Sequence, residues 1–214
     1  MEVQSYGANT IRINTKKTTI IVDDSADMHG GKSYVKDGDI VIYTTRNDIK
    51  SDKKERLLIN SAGEYEVADV LIIGVPAFPY KDDEKLNKLT NTVYKLVSDD
   101  TSLAIMGNAS SELSDSQLEA LGEVDALIIP VGGNSYTLDA SQALKVIKKI
   151  DPFIVIPTHY DDGVTKHKVI QDKIEDVVKA LGLEIIETTN KLKLKGSSFS
   201  EGQNTGLVIL ETNS

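Results

Sequence analysis

Short β-branched runs separated by polar turns fill the first part of the chain: Val3 to Tyr6, Ile11 to Asn14 and Thr18 to Val22, with Gly7-Ala8-Asn9 and Thr15-Lys16-Lys17 between them. Runs this short, joined this tightly, predict an antiparallel meander. After a polar, glycine-containing stretch to Gly38, Asp39 to Tyr43 reads as the next strand. Arg56 to Asn60, Gly63 to Val67 and Asp69 to Val75 follow, the last apolar enough to lie centrally in a sheet. Tyr80 to Lys88 is a charged surface loop. Asn91 to Val97 and Leu103 to Met106 predict a hairpin across the acid-rich turn Ser98-Asp99-Asp100-Thr101.

From here helical signals alternate with strands. Ser114 and Gln117 have capping-box spacing, and the short helix they start ends at Gly122. Ala126 to Ile129 is an apolar run bounded by Pro130 and Gly132-Gly133, which fits a strand buried on both faces. Thr137 and Asp139 are good N-cap types, Asp139 pairs in spacing with Gln142, and Ala143, Leu144, Val146, Ile147 and Ile150 recur at helical period until Asp151-Pro152. Phe153 to Ile156 is a second β-branched run. Strand, crossover and strand of this length predict a parallel pair with a right-handed connection. Its carboxyl end would deliver Thr158, His159 and Tyr160 to the sheet edge where open α/β folds bind ligands. A further helix is predicted from about Lys166 to Leu181, with Val169, Ile170, Ile174, Val177, Val178 and Leu181 as its buried stripe and His167 at the surface. Leu183 to Glu187, Lys191 to Lys195 and Gly206 to Leu210 are strand-like.

Composition narrows the partners. The 214 residues, 40% hydrophobic, suit a single domain over 1–214, with no linker to divide it. A formal charge of −9 disfavours nucleic acid, whose phosphates call for clustered Lys and Arg. No cysteine occurs, so thiolate metal sites and cysteine nucleophiles are excluded. With neither a basic leader nor an apolar run of about 18 residues, no membrane span or signal peptide is expected, and the chain reads as cytoplasmic.

The strand before Pro-Val-Gly-Gly, the helix after it, the Ile-Pro-Thr-His-Tyr ending, the GEYEV hairpin and the run NTVYKLVSDDTSLAIMGN together resemble the metallo-β-lactamase superfamily, in its branch of small lactamase-like hydrolases. The likeness runs from Val3 to about Tyr160 and more loosely beyond. It implies an α/β fold, a four-layer αβ/βα sandwich with two mixed sheets flanked by helices. In active relatives it implies zinc held by a Thr-His-x-His-x-Asp-His motif, a further histidine, a bridging aspartate and a last histidine. Aligned on Thr44, the first four ligand positions fall on Thr45, Asn47, Ile49 and Lys50, with Asp48 out of register by one residue. Pro79 stands near the next histidine, Asn108 takes the bridging aspartate's place, and His159 alone matches a ligand type.

Zinc catalysis takes about three protein ligands and an open position. One imidazole does not supply that, and the Lys50 ammonium would repel a cation. No cofactor is therefore expected, and the remnant cleft of Thr45, Asn47, Asp48, Lys50, Asn108 and His159 points to a catalytically inactive or repurposed member that binds a small ligand or a protein partner, with self-association open. His159 would then bond Asn108, Thr45 or Asn47 and close the pocket with neutral pairs. Two alternatives stay open. One is a metal-dependent hydrolase with ligands relocated to His29, Asp24, Asp27 and His159. The other is metal-free hydrolysis using His159 with Asp161 or Asp162 and a nearby hydroxyl.

Overall fold

The computed structural model describes residues 1–25, 32–45, 55–80, 90–196, 199 and 202–213. In chain order the strands and helices begin with β1 (Glu2–Ser5), β2 (Ile11–Asn14), β3 (Thr19–Val22), β4 (Ile40–Ile42), β5 (Leu57–Ile59), β6 (Gly63–Val67) and β7 (Val70–Ala77). They continue with β8 (Asn91–Ser98), β9 (Thr101–Ile105), α1 (Asp115–Leu121), β10 (Ala126–Pro130), α2 (Ala140–Ile150), β11 (Ile154–Thr158) and α3 (Ile174–Leu181). The last strands are β12 (Ile185–Thr189), β13 (Leu192–Lys193) and β14 (Gly206–Leu210).

Two mixed sheets result, ordered β13-β1-β2-β3-β4-β5 and β12-β14-β11-β10-β9-β8-β7-β6. The meander of β1, β2 and β3 is antiparallel as its tight turns require, whereas β4 and β5 add in parallel. In the second sheet the predicted hairpin of β8 and β9 and the parallel pair of β10 and β11 are both present.

Two-residue periodicity explains the layering. In β10, Ala126 and Ile128 enter the core between the sheets, where they meet Ile11, Ile13, Ile20 and Ile40, while Leu127 and Ile129 join the cluster beneath α1, α2 and α3. Central strands are thus apolar at every position because both faces are covered. Each fully buried aliphatic side chain of this kind contributes about 1.5–3 kcal/mol. All three described helices lie over the eight-stranded sheet.

Both predicted capping boxes form: Ser114 with Gln117 starts α1 and Asp139 with Gln142 starts α2, leaving Thr137 buried two residues earlier. The helix predicted from Lys166 begins only at Ile174. Tertiary bonds hold the intervening segment out of a helix: the Asp172 amide donates to the Gly132 carbonyl, the Asp161 amide donates to the Asp172 carbonyl, and Asp161 bridges Lys173. Val169 and Ile170 are consequently exposed rather than part of a buried stripe. No described helix is long and apolar enough to cross a membrane.

Candidate functional site

Parallel strands deliver their carboxyl ends together, and the residues that follow β3, β4, β9, β10 and β11 converge on one cleft. Asp23 follows β3 in the left-handed region (φ 46) and accepts from the Thr44 amide at 2.7 Å and the Thr44 hydroxyl at 2.6 Å. Burial pushes the Asp23 carboxyl up to about 6, against the pull of those two bonds. Thr44 packs on Gly107, where any side chain would collide with it. Next to it, the Thr45 hydroxyl accepts from the Asn91 amide at 3.3 Å. Pro79 pairs with Ala109, and the Tyr80 amide donates to the Asn108 carbonyl, so Pro79 and Asn108 share this edge.

The turn between β1 and β2 reaches across from the other sheet and joins these pieces. Asn9 Nδ2 donates to Asn108 Oδ1 at 3.0 Å, and Thr158 Oγ1 donates to Asn9 Oδ1 at 3.0 Å. The His159 amide donates to the Ala8 carbonyl, and Thr10 Oγ1 donates to the Asp23 carbonyl. A chain of neutral amide and hydroxyl bonds therefore runs from Asn108 to the strand end that carries His159.

His159 has left-handed backbone (φ 54) and is buried, its ring lying 5.2 Å from that of Tyr136 and 4.9 Å from that of His167. Its Nδ1 meets Gln171 Oε1 at 3.2 Å. Gln171 was not among the partners expected from the sequence: of those, Asn108 bonds Asn9 and Thr45 bonds Asn91, Asn47 lies outside the described residues, and the extended 166–173 segment carries Gln171 to the ring. Asn9 and Gln171 are residues sequence reasoning missed, while His167, read as a surface residue, is half-buried beside the His159 ring. They sit in a turn or in a segment read as helix, and none has a motif around it.

The bonds of Asp161 and Asp162 lie within and around their own loop. Asp161 Oδ1 accepts from the Gly163 amide. Asp162 accepts from the Val164 and Thr165 amides and the Thr165 and Thr212 hydroxyls; burial would raise its carboxyl, but these bonds hold it below its ordinary value. Asp24 accepts from the Ser33 hydroxyl and the Tyr34 amide. Asn47, Asp48, Ile49, Lys50, Asp27 and His29 lie outside the described residues.

Among the described residues no three of His, Asp or Glu come together as a metal-binding group. The described ligand positions offer one imidazole, a threonine hydroxyl and a neutral amide already bonded to Asn9, which does not fit a catalytic zinc. The two-sheet frame with its cleft at the strand ends is nonetheless that of the metallo-β-lactamase fold. Residues 2–159 match the family model described as the beta-lactamase superfamily domain, and the chain belongs to that family. A UPF0173 metal-dependent hydrolase of Pyrococcus horikoshii is 26% identical over 156 residues, which is 68% of each chain. Its counterpart from Pyrococcus abyssi is 28% identical over 132 residues, and there the match spans 58% of each chain. A Thermotoga maritima crystal structure from the metallo-β-lactamase superfamily superposes with a TM-score of 0.74 at 22% identity, covering 98% of this chain and 97% of that one, and so shares the fold.

Proposed function

We propose that this chain is a member of the metal-dependent hydrolase family that has relinquished two-metal hydrolysis and uses the remnant cleft around His159 for binding. The supporting observation is the bond between Asn9 and Asn108, a neutral pair at the residue that the family resemblance aligns with the bridging aspartate. An amide there accepts and donates hydrogen bonds but supplies no charge to offset a dication. Without bound metal, no water is acidified and no substrate carbonyl is polarised by a Lewis acid. The polar groups of Thr45, Asn108 and His159 at these strand ends would suit a small ligand that carries hydrogen-bonding groups, or a partner protein's loop.

Metal-dependent hydrolysis is the second reading, favoured by the names of the Pyrococcus relatives. It would draw on Asp24, Asp27 and His29 with His159. Calorimetric titration of chelator-stripped protein with zinc separates the two. We expect no stoichiometric uptake at micromolar concentration, and one or two tightly held equivalents would refute the binding-module reading.

A further inference from the structure

The proton on His159 has an assigned place. Gln171 is 5% exposed, and its Nε2 donates to two backbone carbonyls, that of Val169 at 2.8 Å and that of Ile170 at 3.2 Å. Both amide hydrogens are thereby committed, and reversing the amide would press its oxygen against those two carbonyl oxygens. The oxygen that faces His159 Nδ1 at 3.2 Å accepts only, so Nδ1 must be the donor.

Gly132 makes this approach possible. A side chain there would run into both the His159 carbonyl oxygen and Gln171 Oε1. The Asp172 amide, bonded to the Gly132 carbonyl, holds the next residue in register. The glycine turn after β10 and the extended segment before α3 thus act jointly on one ring nitrogen.

We propose that Gln171 is a positioning residue that fixes His159 as the Nδ1–H tautomer, so that Nε2 carries the lone pair. While the ring is neutral, any group that meets Nε2 must donate a proton or be a Lewis acid. A hydroxyl or N–H group of a neutral ligand is suited to that neutral form, whereas a carboxylate or phosphate oxygen requires the ring to take a second proton at Nε2. His167 carries the opposite assignment. Its Nε2 lies 3.1 Å from the Tyr160 carbonyl oxygen and must donate to it. The inference concerns the same cleft but stands on the Gln171 bonds alone, so the zinc titration tests the preceding reading and the ring tautomer tests this one.

Ring ¹⁵N shifts and their long-range couplings to ring protons, recorded on the full chain at about pH 8 where an ordinary imidazole is neutral, decide it. His159→Asn and His167→Asn assign the signals. His159 should show a pyrrole-type Nδ1 and a pyridine-type Nε2, and His167 the reverse. Gln171→Met, which keeps bulk but offers no comparable acceptor, should move His159 towards the Nε2–H form. A wild-type His159 already protonated at Nε2 overturns the proposal, as does an unchanged His159 tautomer in folded Gln171→Met. If that variant does not fold, the wild-type spectrum alone decides.

Discussion

Replacing Asp23 with asparagine removes the ionisation of a carboxyl that the fold keeps largely from water while leaving one oxygen to accept from Thr44. Burial raises this group from the ordinary 3.8 to about 6. The native state therefore holds the proton more tightly than the unfolded chain by about two pH units, and at about 1.4 kcal/mol per unit the linked free energy is about 3 kcal/mol. Because the folded value is the higher one, this contribution is fully present below about 3.8 and is lost as pH rises through about 6. Urea unfolding followed by circular dichroism, for wild type and Asp23→Asn at intervals from about pH 4 to about pH 7.5, gives the difference in stability directly. Part of the effect is already lost at pH 4, so the wild type should lose about 2–2.5 kcal/mol relative to the variant across that window. Two curves that stay parallel would refute the placement of a proton-retaining carboxyl at the carboxyl ends of β3 and β4.

Two further substitutions probe the cleft. Gly132→Ala should destabilise the chain by about 1–3 kcal/mol, since the new methyl meets the His159 carbonyl and Gln171; thermal unfolding checks it. Thr158→Val keeps shape but deletes the donor to Asn9, and should cost about 1 kcal/mol by urea unfolding with no change in the overall circular dichroism spectrum.

Local signals made the stretch from Val124 to Tyr160 legible. Its two strands are continuous apolar runs and its helix opens on a capping box, all of which operate within a few residues. The segment before α3 was not legible, because its apolar spacing suits a helix and only the distant bonds to Gly132 and Asp161 forbid one. Asn108 and His159 were singled out through the family resemblance, and Asn9 links Asn108 to Thr158, the neighbour of His159. Asn9 and Gln171 were not found, since a single neutral amide acquires its role from what folds against it. Thr45 falls at the same edge, while Asn47, Asp48, Ile49 and Lys50 lie outside the described residues.

The turn between β1 and β2 belongs to a hairpin that needs only its own few residues to pair, yet its side-chain bonds to Asn108 and Thr158 span 99 and 149 positions. Closing loops that long costs more entropy than forming the hairpin. During synthesis, then, the hairpin can zip early while its tip waits, and the cleft comes into being only when the segment bearing Gln171 has left the ribosome.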